Sequence, residues 1–168
     1  MEQSTYFSRF PNFQPWKSTS ANTEFNRLAL QMKWKQGSKK YRSEHAKFFA
    51  SEFGFRFGTD GTKLANWQAL CVELGIRSPI ESITQCRKVI PKIFHHFSRY
   101  YKTNCEKALS KVHVNLVDLV DSRRTGKKVK RFSSPGELQN YTANTRRIFP
   151  KDAAKEDGFL KALLRTIF

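Results

Sequence analysis

The stretch Ala65–Ile93, ANWQALCVELGIRSPIESITQCRKVIPKI, decides how the chain is read. Leu64, Trp67, Leu70, Cys71 and Leu74 recur at the three-and-four spacing of one helical face. Gly75 supplies a left-handed stop, and Ile76 follows as an apolar turn residue. Ser78-Pro79-Ile80-Glu81 has the form of a capping box with proline at the first helical position, so it predicts a second helix. Ile83, Cys86 and Ile90 give that helix an inner face, with Gln85, Arg87, Lys88 and Lys92 on its other sides. Helix, turn and basic amide-bearing helix is the arrangement that major-groove docking needs. Arginine and glutamine pair with base edges, and lysine contacts phosphate. The same pattern also suits a plain helical hairpin with a solvated charged face.

Outward from this stretch, composition narrows the function classes. The chain has 168 residues, enough for one domain. It sets 31 Lys+Arg against 14 Asp+Glu, a net charge of +17, which favours polyanionic partners. No apolar run approaches the roughly 18 residues of a membrane span. The first sixteen residues lack the basic start and apolar centre of a secretory signal. Cys71, Cys86 and Cys105 are odd in number and widely spaced, which fits a reducing compartment rather than a disulfide framework. Cys86, His95, His96 and Cys105 could join one metal only if the helix between them folded back. On a continuous helix the two cysteines lie about 28 Å apart. We expect no metal and no cofactor.

Residues 1–22 form a polar, proline-containing arm that nevertheless holds Tyr6, Phe7, Phe10, Phe13 and Trp16. Such an arm either stays disordered and docks a partner or packs back on the domain; exposed aromatic clusters are a liability, which favours packing. Residues 23–168 read as one domain. A helix capped by Asn22 or Thr23 runs to about Gln36, with Phe25, Leu28, Ala29 and Met32 inward. A second runs from about Lys39 to Phe53, with His45 as a packed core histidine. Gly54-Phe55-Arg56-Phe57-Gly58 is expected to interrupt it, its phenylalanines plugging the core. Gly58–Lys63 lacks the spacing of a phosphate-cradling loop, and Thr59, Asp60 or Thr62 caps the next helix instead. The helix-turn-helix unit thus spans about residues 39–93.

At this point the chain resembles the second half of a Myb/SANT repeat. Trp67, Leu70, Cys71 and Leu74, followed by Gln85-Cys86-Arg87, carry the likeness over residues 64–90. The turn here is about four residues longer, and the family's closing tryptophan and arginine have no counterpart. The resemblance implies a base-contacting role for Gln85 and Arg87. Lys63–Leu74 and Ala108–Phe168 are also similar to small proteins of filamentous fungi, which implies a eukaryotic source. In those proteins we expect Gln85-Cys86-Arg87-Lys88 to lead directly into Ala108-Leu109-Ser110-Lys111, so residues 89–107 read as an insertion.

Beyond Ile83 the apolar positions continue through Phe94, Phe97, Tyr101, Cys105, Ala108, Val112, Leu116 and Leu119, an eleven-residue period. Pro91 breaks or kinks that helix. Val112–Leu116 also alternates like a strand, but lacks an evident partner, so helix is expected there. Ser122–Arg131, SRRTGKKVKR, is a basic loop of six cations and no acid. Its Lys127, Lys128, Lys130 and Arg131 match the extended basic segment that nuclear import receptors hold. Ile83–Arg131 carries 13 Lys+Arg against three acids, so most of the positive charge lies there. Ser134-Pro135-Gly136-Glu137 starts a short helix, and Pro150 opens a final one with Gly158 weakening its middle.

The expected fold is all-α: a compact multi-helix domain with a helix-turn-helix-like unit, an N-terminal arm, a basic loop at 122–131 and C-terminal helices over 134–168. No nucleophile motif, paired carboxylates or cofactor loop supports an enzyme. The expected function is nucleic-acid binding in the nucleus, DNA ahead of RNA. Gln85, Arg87, Lys88, Lys92, Arg99, Lys102, Arg123, Arg124, Lys127, Lys128, Lys130 and Arg131 are the contacting residues. The alternative is a helical adaptor, nuclear or cytoplasmic, whose basic surface meets an acidic protein.

Overall fold

Helix α2, Lys39–Phe57, is the element on which the others pack. The computed structural model describes residues 5–16, 18–75, 81–87, 113–155 and 157–161. Before α2 come a 3₁₀ turn, Thr5–Arg9, and α1, Ala21–Gln31. After it come α3, Leu64–Glu73, and a helical segment over 83–87. Strand β1, His113–Val114, leads into α4, Leu116–Thr125; strand β2, Arg131–Phe132, leads into α5, Pro135–Thr145. A second 3₁₀ turn, Lys151–Lys155, and a helical segment over 158–161 follow. The domain is all-α apart from its two-residue strands.

α2 runs straight through the glycine expected to stop it. Gly54 is helical, and the stop comes at Gly58, whose φ of 82° only glycine adopts freely. Gly54 serves packing: a Cβ there would lie 2.7 Å from Thr59 Cγ2 and 2.8 Å from Asp157 Oδ2. A helix surrounded by neighbours is apolar on several sides. Ala46, Phe48, Phe49, Ala50, Phe53 and Phe57 are accordingly all buried, while Phe55 faces out. Phe48 stacks on Phe25 of α1 at 5.5 Å between ring centres, and Phe53 meets Phe159 at 5.7 Å. Phe159 in turn meets the edge of Trp67 at 4.7 Å. The aromatic arm packs back on the same helix: Tyr6, Phe7 and Phe13 are buried, and Tyr6 and Phe7 both contact Phe48.

Several expected boundaries shift for local reasons. Ser20, rather than Asn22 or Thr23, caps α1 by accepting from the Thr23 amide, and Lys33 in a left-handed conformation ends the turn beyond it. Met32 is exposed. Asp60 caps no helix. It accepts from the Thr62 amide and hydroxyl in a local turn, while Trp67 Nε1 donates to the Gly61 carbonyl at 2.9 Å.

The larger correction concerns residues 113–132. A helix was expected at Val114, but β1 pairs antiparallel with β2, His113 opposite Phe132 and Val114 opposite Arg131. The missing partner strand comes from the end of the basic stretch. Asn115 then caps α4, its side chain accepting from the Val117 and Asp118 amides. α4 continues through Ser122, Arg123 and Arg124, so the basic loop begins at Gly126 (φ 73°), not at Ser122. α5 reaches Thr145 and lies across both strands, with Tyr141 on Phe132 at 4.8 Å. Near the end, Asp157 interrupts the expected last helix and caps a new one by accepting from the Leu160 amide at 2.6 Å. Gly158 therefore sits at that helix's start, with Phe159 N donating to the Thr59 carbonyl.

Candidate nucleic-acid interface

The helical segment over 83–87 carries two of the expected reader residues, Gln85 and Arg87. Its cap is Ser82, whose hydroxyl accepts from the Gln85 amide at 3.2 Å. Gln85 Oε1 reaches back to accept from the Glu81 amide at 2.8 Å. Ser82 and Gln85 thus cap this segment where Ser78 and Glu81 were expected to; Glu81 precedes the helical residues, and Ser78 lies outside the described residues. Gln85 is exposed, with its side-chain oxygen held by that cap. Arg87 is exposed and places its guanidinium 5.5 Å from the Trp67 ring centre, over α3. Cys86 is buried against Cys71. Burial, then the neighbouring Cys86, pushes the Cys71 thiol up to about 12. Lys88, Lys92, Arg99 and Lys102 lie outside the described residues, as do His95, His96, Cys105 and Pro91.

The residues of the basic stretch part company. Arg123 is exposed and pairs with Glu73 of α3 at 2.8 Å. Arg124 turns inward and is only 4% exposed. Its Nη1 meets buried Glu52 at 3.4 Å, while Nε and Nη2 donate to the carbonyls of Thr19 and Trp16. A guanidinium enclosed in this way ties the arm to α2 and α4 and has no route to a phosphate, which removes Arg124 from the contact set. Lys127, Lys128, Lys130 and Arg131 are exposed. Lys130 Nζ sits 4.5 Å from the Tyr141 ring centre and 5.2 Å from that of Phe132. Arg131 crosses beside Gly75, bringing the loop against the end of α3. Lys127, Lys128 and Lys130 pair with no acid among the described residues.

Sequence reasoning missed where the acids go. Glu24, Glu44, Glu52, Asp118, Asp121 and Asp157 are buried, six of the chain's 14 acids. Against them, Arg124 is the sole Lys or Arg in the buried set among the described residues. Glu44 receives Tyr6, Arg9 and Lys40, while Glu24 receives Arg27, Thr19 and the Trp16 amide. Asp118 and Asp121 both hold Arg147, at 2.7 and 2.6 Å, and Asp121 also accepts from the Ala21 amide. Burial raises the Asp118 carboxyl, an effect Arg147 opposes. Glu24, Glu44, Asp118 and Asp121 are internal anchors whose cationic partners reach in from the rim, while Glu52 also meets the buried Arg124 and Asp157 caps a helix. Five other described acids, Asp60, Glu73, Glu81, Glu137 and Asp152, are not buried.

Among the described residues no cluster of three or more His, Cys, Asp or Glu could hold a metal, and no helix is long and apolar enough to cross a membrane. No protein-family profile, curated protein or solved structure matches the chain.

Proposed function

We propose that this is a non-enzymatic nucleic-acid-binding protein of the nucleus. The loop Gly126–Arg131, together with Arg123, forms its phosphate-contacting surface, and Arg87 on the adjacent basic helix is a candidate base contact. One observation carries the proposal: Lys127, Lys128 and Lys130 are exposed and have no carboxylate partners among the described residues. Unpaired surface lysines that neutralise phosphates gain from releasing a polyanion's counterions. DNA is the preferred polyanion. The likeness to Myb/SANT repeats over residues 64–90 supports that choice, and nuclear import receptors are the partners implied by Lys127–Arg131.

The test is a salt titration of binding to a labelled duplex, read by fluorescence anisotropy. Each phosphate neutralised contributes about 0.9 to the slope of log affinity against log salt. Changing Lys127, Lys128 and Lys130 together to glutamine should flatten that slope by about 2 to 3. An unchanged slope sinks the loop as the contact surface. The double change Arg87→Glu and Lys88→Glu tests the reader helix separately, because loss of affinity is expected only if that helix faces the duplex. Purified protein free of nucleic acid by absorbance ratio, together with salt-insensitive duplex binding, would favour the acidic-protein adaptor.

A further inference from the structure

A groove of about 470 Å³ runs along the solvent side of α2, far in sequence from the basic loop. Its floor is a single helical stripe, Lys47, Ala50, Ser51, Gly54 and Phe55, spanning about 12 Å at 1.5 Å per residue. The middle of the stripe, Ala50, Ser51 and Gly54, has small side chains. Tyr6 and Arg9 of the first 3₁₀ turn, with Thr59 and Asp157, complete the lining.

The two ends differ chemically. At one end Arg9 and Lys47 share buried Glu44, at 3.2 and 3.6 Å, yet their side chains stay 48% and 38% exposed. Each keeps donors for a further anion. At the other end Asp157 is 5% exposed, and only one of its oxygens is used, in capping Leu160. Its Oδ2 has no hydrogen-bond partner among the described residues. Gly54 is what leaves that oxygen room: a Cβ would sit 2.8 Å from it. Phe55, beside Gly54, offers a ring that is 42% accessible, with the Arg56 guanidinium 5.8 Å from its centre.

We propose that this groove takes one unstacked nucleotide of a single strand, its phosphate at Arg9 and Lys47, its base against Phe55, and its amino group towards Asp157. The proposal rests on the nucleic-acid reading above and names a second element of it. Cations that track a backbone beside an aromatic platform are the recurring means of holding single strands. A carboxylate oxygen accepts from the amino group of cytosine, adenine or guanine, whereas uracil and thymine carry no amino group. The groove therefore favours the amino-bearing bases over uracil.

The experiment titrates the full chain with the monophosphates of cytidine, adenosine, uridine and guanosine, read by isothermal calorimetry at low salt. Cytidine, adenosine and guanosine monophosphates are expected to bind roughly tenfold tighter than uridine monophosphate, the scale of discrimination that such base-edge contacts give. Phe55→Ala, an exposed change that leaves the core intact, should weaken them by roughly tenfold. Asp157→Asn keeps an oxygen for the Leu160 cap and turns an amide N–H₂ to the base, so the preference should move towards uridine. Equal binding of all four, no binding at millimolar concentration, or indifference to Phe55→Ala overturns the proposal, whether or not the asparagine variant folds. The triple lysine change in the loop separates the two ideas. If it flattens duplex binding while monophosphates ignore the groove variants, the groove is wrong and the loop stands; the converse result removes the loop and keeps the groove.

Discussion

Arg124 and Glu52 meet at 3.4 Å inside the molecule, 72 residues apart in sequence. Glu52 lies on α2 and Arg124 on α4, and the same guanidinium holds the Thr19 and Trp16 carbonyls of the arm. Arg56 also reaches Glu52, at 3.1 Å, so one buried carboxylate serves two cations.

Removing Arg124 leaves Glu52 with one cation fewer and takes the donors from the Thr19 and Trp16 carbonyls, at a cost of about 3 kcal/mol. Arg124→Met should therefore lower the melting temperature by roughly 10 °C, given about 2 to 4 °C per kcal/mol at this size. Its effect on duplex affinity, measured where the variant is fully folded, should be negligible. An Arg124 that acted on phosphate would show the opposite profile.

His45 provides a pH signature. Burial among Phe25, Tyr41 and Phe49 depresses its pKa to about 4, from an ordinary value of 6.5. The unfolded chain therefore takes up a proton in a window where the folded chain does not, and stability rises with pH between about 4 and 6.5. Full development of that shift is worth up to about 3 kcal/mol. Denaturant midpoints measured across this window should fall as pH drops, and His45→Gln should flatten the curve. A wild-type midpoint that is level from pH 7 to pH 4.5 contradicts the buried neutral imidazole.

Gly54→Ala tests packing against propensity. Alanine should gain up to about 1 kcal/mol in the middle of a helix. Here its methyl meets Thr59 and Asp157 below 3 Å, and overpacking of that kind costs about 1 to 3 kcal/mol. The expected net result is destabilisation by about 1 kcal/mol, visible in a urea midpoint. A stabilised variant would show that the segment around Asp157 does not press on α2.

The thiols of Cys71 and Cys86 should be inert in the native protein. Both are buried, and burial raises both. Alkylation with iodoacetamide at pH 8, followed by peptide mass spectrometry, should leave them unmodified until denaturant is added. Rapid native labelling of either would mean that the 83–87 segment opens away from α3.

The elements legible in the sequence were those whose signal is local. The stripe from Leu64 to Leu74 with Gly75 behind it gave α3, and Ser134-Pro135-Gly136-Glu137 gave the start of α5. Turn, cap and period-3.6 patterns need only neighbours within a few residues. Gly54 misled because a glycine required by a distant carboxylate looks the same as a glycine that ends a helix. Val114 misled because a two-residue strand is defined by its partner, which stands 17 positions on at Arg131.

The candidate surface divides the same way. Sequence alone determined the excess of cations, their concentration after Ile83 and the all-α class, since these follow from composition and periodicity. Only the tertiary structure decided which charges face solvent. Arg123 and Arg124 are adjacent in the chain, yet α4 turns one to Glu73 at the surface and the other to Glu52 in the core. Adjacent residues on a helix point about 100° apart, so what lies beside each is set by helices packed from elsewhere in the chain. The sinking of six acids is likewise a property of packing, because a carboxylate can be buried only where the fold brings it cations or amide donors.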